Sequence, residues 1–145
     1  MTILALPQQQ TGHARRPAAP ARRARPTQSA DMRAEPAGLT VDQLTATVMS
    51  PLARCADGAL DPDDWYPVAT KSARARVEAA RALALCAVCP VRAQCLELSM
   101  RVWDAGGQHG IWGGLVEPDR RGARAGWLAG TPVTALLDVV PADRG

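Results

Sequence analysis

Apolar side chains recur with helical spacing in three segments of the chain, and the first segment begins with a clear start sequence. Thr40 and Gln43 have the T-x-x-Q spacing of a capping box, in which each side chain accepts a hydrogen bond from the other residue's backbone N–H. The sequence therefore predicts a short helix from Val41 to about Met49. Ser50-Pro51 is expected to end it, because proline cannot continue a helix.

The second predicted helix covers residues 72–85, which are rich in alanine, arginine and leucine. These residues have high helix propensity, so a helix is expected here. The expected apolar side of this helix consists of Val77, Ala80, Ala84 and Leu85.

A third helix is predicted to begin at Pro90, because proline at the first helical position lacks only an N–H that would be unpaired there. Gly106-Gly107 is expected to end it. Its inward face should direct Cys95 toward the turn between Cys86 and Cys89. The residues of that face are Val91, Cys95, Leu98 and Val102. The only candidate for β-structure is a turn-bounded hairpin around residues 110–116.

Composition divides the chain into three parts. Residues 1–38 contain five prolines, six arginines and almost no apolar periodicity, so they cannot bury enough surface to offset their ordering entropy. We expect this tail to be disordered. Residues 39–118 are expected to form a small all-α domain of three to four short helices, and residues 119–145 a short basic segment and C-terminal tail. With five aromatic residues in the chain, such a core usually needs a covalent or metal staple.

The net charge of +3 is unevenly distributed along the chain. Residues 1–38 carry six basic and two acidic side chains, a net charge of +4, and the remainder carries −1. An arginine-rich tail fits contact with nucleic acid, but a high-GC genome would produce the same composition. The chain has no run of roughly 20 apolar residues and no basic N-terminal region of an export signal. We therefore expect a cytoplasmic protein with no membrane partner.

The four cysteines form the pattern C-x30-C-x2-C-x5-C and are the main candidate for chemistry. Four thiolates can complete a tetrahedral zinc site or hold an iron–sulfur cluster, and the spacing suits either. Two disulfides are the structural alternative, typical of small secreted proteins. A thiol–disulfide oxidoreductase using Cys86-x2-Cys89 would need that motif at the end of a strand, and no strand is evident. The four residues are Cys55, Cys86, Cys89 and Cys95.

A second motif combines one large aromatic side chain with three glycines, Gly110-Ile111-Trp112-Gly113-Gly114. Glycines permit positive φ, so the motif predicts a tight turn. Trp112 could pack on the core beside this turn. Alternatively, it could anchor a partner protein, because tryptophan is favoured at the centres of interfaces.

Taken together, these motifs resemble the WhiB-like family of actinobacterial iron–sulfur transcription regulators. The resemblance covers about residues 50–124. It rests on Cys55, the segment Asp61-Pro62-Asp63 with Trp65-Tyr66-Pro67, the motif Cys86-x2-Cys89-Pro90-x4-Cys95, and Gly110-Ile111-Trp112-Gly113-Gly114-Leu115.

The resemblance implies a regulator, not an enzyme, built around one [4Fe–4S] cluster per subunit. All four cysteines would ligate the cluster, which would respond to oxygen or nitric oxide, and the apo form could carry disulfides. It further implies binding to the C-terminal region of the primary sigma factor of RNA polymerase, through Trp65, Tyr66, Gly110, Ile111, Trp112, Gly113 and Gly114. DNA would be contacted by Arg120, Arg121 and Arg124. A zinc-stabilised DNA-binding module remains an alternative from the residues themselves.

Overall fold

The computed structural model describes residues 32–139, in which short helices are joined by turns and loops. The six α-helices among these residues are α1 (Val41–Val48), α2 (Ser72–Glu78), α3 (Ala80–Ala87), α4 (Arg92–Arg101), α5 (Glu117–Leu128) and α6 (Val133–Val139). Short 3-10 helices lie at Pro36–Gly38, Arg54–Asp57, Pro62–Trp65 and Trp103–Ala105. The described residues contain no strand, and the expected hairpin is reduced to one antiparallel bridge between Trp112 and Leu115. The all-α class is confirmed, with more helices than the three to four expected.

Helix α1 begins at the predicted capping box. The Thr40 hydroxyl accepts a hydrogen bond from the Gln43 N–H at 3.2 Å, and the Gln43 side chain accepts one from the Thr40 N–H at 2.9 Å. Leu44 and Thr47 on the opposite side are fully buried and face α4. The local start sequence was sufficient to place this helix correctly.

The predicted helix over residues 72–85 is two helices, because the chain bends at Ala79. The predicted apolar side is also wrong: Val77 is 69% exposed, and Ala80 and Ala84 are exposed. The bend changes which positions of the two helices face inward. At those positions, alanine lets the helix backbone lie closer to Val116 than a valine side chain would. The residues that face the core are Ala75, Ala79 and Ala82.

Helix α4 forms the centre of the fold and is buried on most sides. It packs against α1 on one side and α6 on the other, where Leu96 and Met100 contact Leu136. The helix begins at Arg92, so the predicted start at Pro90 lies in the preceding turn, and it ends at Arg101, before the glycines expected to stop it. Within residues 32–139 no single helix is long and apolar enough to cross a membrane; α3 and α4 reach that length and composition only as a pair bent by 116°.

The segment predicted to be a basic C-terminal tail is folded in its described part. Helix α5 starts with Pro118 in its first turn, and α6 inserts Val133 and Leu136 beside α4. These apolar side chains complete the core, which explains why residues 117–139 pack as helices.

The predicted N-terminal disorder over residues 1–38 falls largely outside the described residues. Its last part is ordered: Pro36–Gly38 forms a 3-10 helix, and the Arg101 guanidinium donates hydrogen bonds to the carbonyls of Pro36, Ala37 and Leu39. The packed part of the chain therefore begins slightly earlier than residue 39.

Candidate metal centre

The structure brings all four cysteines to the wall of one cavity of about 480 Å³. Cys55 lies in the 3-10 helix Arg54–Asp57, and Cys86 lies in the last turn of α3. Cys89 follows in the turn after α3, and Cys95 lies in the first turns of α4. All four thiols are free. Cys86, Cys89 and Cys95 share the site because α3, the turn and α4 fold back on each other, and Cys55 joins them because its 3-10 helix packs against α3.

Apolar side chains form most of the remaining cavity wall. Burial in this environment raises the pKa of the Cys95 thiol to about 12 and that of Cys86 to about 11. The pKa of Cys55 is also raised, first by burial and then by the neighbouring Cys89. Desolvation and mutual repulsion both disfavour thiolates here, so the site needs bound positive charge before all four can ionise. The apolar lining includes Val48, Met49, Leu60, Trp65, Ile111 and Trp112.

The glycine–tryptophan motif forms a turn whose amides point at two of the thiols. Trp112 and Leu115 exchange backbone hydrogen bonds of 3.2 and 3.0 Å, and Gly113 and Gly114 between them have φ of 58° and 75°. Two successive positive φ values define a type I′ turn. The Gly113 N–H donates to the Cys95 Sγ at 3.2 Å, and a hydrogen bond from the Gly114 N–H lowers the pKa of Cys86 against the effect of burial.

Two arginines that the sequence analysis did not assign to the site hold this turn in place. The Arg92 Nε donates to the Gly113 carbonyl at 2.9 Å. The Arg120 guanidinium donates to the carbonyls of Gly110 and Leu115 at 2.7 and 2.8 Å. The turn is therefore fixed by side chains on two helices, α4 and α5.

Arg120 was expected to contact DNA, and this expectation is wrong. Its side chain is fully buried, and burial lowers its pKa to about 10. Arg124 is half-buried, with its guanidinium 4.8 Å from the Trp103 ring centre and 5.9 Å from that of Trp127. Of the three arginines, only Arg121 is exposed, and it pairs with Glu117.

The spacing of residues along α5 could have predicted that this face of the helix points inward. Arg120, Arg124 and Trp127 are spaced i, i+4 and i+7 after Pro118, which favours the first turn of a helix. Reading the arginines as a basic segment overlooked this spacing.

The residues expected to contact a sigma factor lie around the same cavity but differ in exposure. Tyr66 is 62% exposed, and its ring lies against Gly110, where an added Cβ would be 2.8 Å from it. Trp65 is half-buried, and its carbonyl accepts a hydrogen bond from the Ile111 N–H at 3.0 Å. These contacts fasten the aromatic segment to the glycine turn.

Trp112 is part of the packed interior as well as the cavity wall. Its ring packs beside Leu39, Leu44 and Leu98, and its Nε1 donates to the His109 carbonyl at 2.7 Å. Gly113 also lines the cavity, whereas Gly114 donates its N–H to Cys86, which lines it. Of the two interpretations of Trp112, core packing therefore has direct structural support.

Four thiolates are the donor set of both a tetrahedral zinc site and an iron–sulfur cluster. The four cysteines that line the cavity therefore have the chemistry for either group. Among residues 32–139, no three cysteine, histidine or carboxylate groups lie close enough together in the structure to hold a metal ion.

The site is a poor match for a thiol–disulfide enzyme. Reactive cysteines have lowered pKa values, whereas burial raises the pKa of Cys86 to about 11. Cys86 also lies on a helix, not at the end of a strand.

The fold and the site together define a class: small helical proteins whose chain is gathered around four cysteines and a glycine–tryptophan turn. Residues 51–122 match the family model described as transcription factor WhiB, which covers about half of the chain and includes all four cysteines. The chain belongs to the WhiB family of transcription factors. No curated protein and no solved structure matched it.

Proposed function

We propose that this transcription regulator carries one [4Fe–4S] cluster, held by the four cysteines, and that it responds to oxygen or nitric oxide. The observation that carries the proposal is the convergence of four free thiols on one apolar cavity, from three separate elements. The resemblance of the four-cysteine pattern to the WhiB-like iron–sulfur regulators favours a cluster over zinc. The ligands are Cys55, Cys86, Cys89 and Cys95.

The cavity provides what a sensing cluster requires of the protein. When bound, the cluster supplies iron that reacts with oxidants or nitric oxide. Trp65, Ile111 and Trp112 restrict water on one side, and the amides of Gly113 and Gly114 direct hydrogen bonds at two ligand sulfurs. Loss of the cluster would leave the four thiols with no common partner, so the elements that carry them would be held together less firmly.

The proposed partner is the C-terminal region of the primary sigma factor of RNA polymerase. Tyr66 and Met49, which are 62% and 78% exposed, line the cavity at its surface. An exposed tyrosine beside a half-buried tryptophan is the composition of an interface hot spot. Because Gly110 and Ile111 connect these aromatics to the ligand turn, disturbance of the cluster would change the surface offered to the partner.

DNA contact is proposed as a secondary interaction, and the protein is proposed to act in the cytoplasm. The basic surface available for DNA is smaller than the sequence suggested. Arg121 is the exposed member of the expected set, and Arg124 is accessible only in part. Arg120 has no part in it.

The experiment is capture of the sigma-factor C-terminal region by the full chain, purified without oxygen. Holo protein should bind, and treatment with nitric oxide should abolish binding. Tyr66→Ala should weaken binding about tenfold or more while leaving the visible spectrum unchanged, as loss of an interface anchor does.

The matched control is Val77→Ala, which removes an equally exposed apolar side chain away from the cavity and should bind normally. Equal capture by holo and cluster-free protein would contradict the proposal.

A further inference from the structure

Arg120 is the largest fully buried side chain of the described residues, and it is unusual in what it contacts. Its hydrogen bonds go to backbone carbonyls. Besides Gly110 and Leu115, it reaches the carbonyls of Gly107, Gln108 and His109 at 3.0, 2.9 and 3.3 Å. One guanidinium therefore contacts a whole loop, from Gly107 to Leu115.

This arrangement is costly as a means of stabilising a core. A buried cation loses its hydration, and well-packed apolar side chains of similar volume often stabilise a fold equally well. The Arg120 Nε is also buried with no hydrogen-bond partner among the described residues, which adds a desolvation cost. What the guanidinium provides, and an apolar side chain cannot, is a planar set of donors that fixes several carbonyls at once.

The fixed carbonyls lie on both sides of the two amides that face the thiols. Gly110 precedes the turn and Leu115 closes it, while the N–H groups of Gly113 and Gly114 between them point at Cys95 and Cys86. A shift of either end would change the direction of both amides. The position of the Arg120 guanidinium therefore determines the direction of two N–H···S hydrogen bonds in which it takes no part itself.

We propose that Arg120 is a positioning residue that aims the Gly113 and Gly114 amides at the ligand sulfurs and so sets the reduction potential and lifetime of the cluster. The second half of this statement rests on the proposed function. Hydrogen bonds to the sulfurs stabilise the more negatively charged reduced form, so their loss should make the potential more negative. Thiolates that accept fewer hydrogen bonds should also release iron faster.

The test compares Arg120→Lys and Arg120→Gln with Arg121→Gln in the full chain. Lysine keeps the buried positive charge but replaces the planar fork by one compact donor group. Arg121 is the neighbouring residue on the same helix and pairs with Glu117, so R121Q controls for loss of an arginine from α5.

The first measurement is amide hydrogen exchange in the reduced apo protein, which requires no cluster. We expect the Gly113 and Gly114 amides to exchange about tenfold faster in R120K, the size of effect given by loss of one net hydrogen bond. Exchange in R121Q should equal that of the parent. The second measurement, in reconstituted protein, should give a more negative potential and faster cluster loss in air for both Arg120 variants.

Parent-like exchange and potential in R120K would overturn the proposal, because the charge alone would then suffice. Failure of R120K to fold while R121Q folds would also overturn it, since Arg120 would then serve folding itself. If R120Q fails to fold, R120K decides the outcome. If the parent takes up no iron, the proposed function fails, yet the exchange measurement still decides whether Arg120 aims the amides.

Discussion

At the residue scale, the ligand turn leaves no room for a side chain at Gly113. An added Cβ would lie 2.6 Å from the Leu96 Cβ, and the positive φ of 58° is itself strained for any other residue. Gly113→Ala should therefore lower the free energy of unfolding by about 2–3 kcal/mol and prevent cluster assembly. Thermal unfolding and iron uptake measure the two effects.

Gly122→Ala is the matched control for that substitution. Gly122 lies within α5, and an added Cβ there meets nothing within 4 Å. It should raise the free energy of unfolding by about 0.5–1 kcal/mol, because alanine has less backbone entropy to lose. Equal behaviour of the two variants would mean that the turn is not tightly packed.

The buried thiols predict how apo stability depends on pH. The pKa of Cys86 rises from 9.0 to about 11 on folding, so near pH 9 and above the folded chain binds more protons than the unfolded chain. The free energy of unfolding of the reduced apo protein should therefore fall as pH rises from about 8 to about 10. Urea unfolding at several pH values measures the slope.

Cys86→Ser is the control, since serine does not titrate in this range. Its slope should be shallower than that of the parent, with the remainder coming from Cys55 and Cys95. Stability that increases over this interval in the parent would show that the thiols are not buried in the apo protein.

At the scale of elements, α6 belongs to the core. Leu136 is 9% exposed and packs against α4, whereas Leu128 at the end of α5 is 66% exposed. Leu136→Ala should cost about 2–4 kcal/mol of unfolding free energy, and Leu128→Ala no more than about 0.5 kcal/mol. Denaturant unfolding of both variants tests whether residues 133–139 stabilise the domain. A neutral Leu136→Ala would place α6 outside the cooperative unit.

Elements with local start sequences were predictable, and those defined by tertiary contact were not. The Thr40–Gln43 capping box placed α1 because its hydrogen bonds involve neighbouring residues only. In α2 and α3 nine of the fifteen positions are alanine or arginine, so periodicity could not identify the buried side or the bend at Ala79. The inward face of α5 was visible in the spacing of Arg120 and Arg124, but arginine is read as a surface residue by default.

At the scale of the whole molecule, the spacing of the cysteines was enough to predict that they share one site, but not which side chains hold that site in place. The sequence does not indicate that one buried guanidinium links α5 to the turn beside Cys95. That link depends on where the loop over residues 107–115 folds. The four cysteines, the glycine turn and the two C-terminal helices therefore belong to one connected structure.

The most direct test of this account is iron and sulfide analysis of the full chain after anaerobic reconstitution, together with its visible spectrum. The account predicts about four iron and four sulfide per chain and a brown protein. Changing Cys55, Cys86, Cys89 or Cys95 to alanine should abolish or sharply reduce that content. Stoichiometric zinc in protein isolated without oxygen, with no iron uptake on reconstitution, would contradict it.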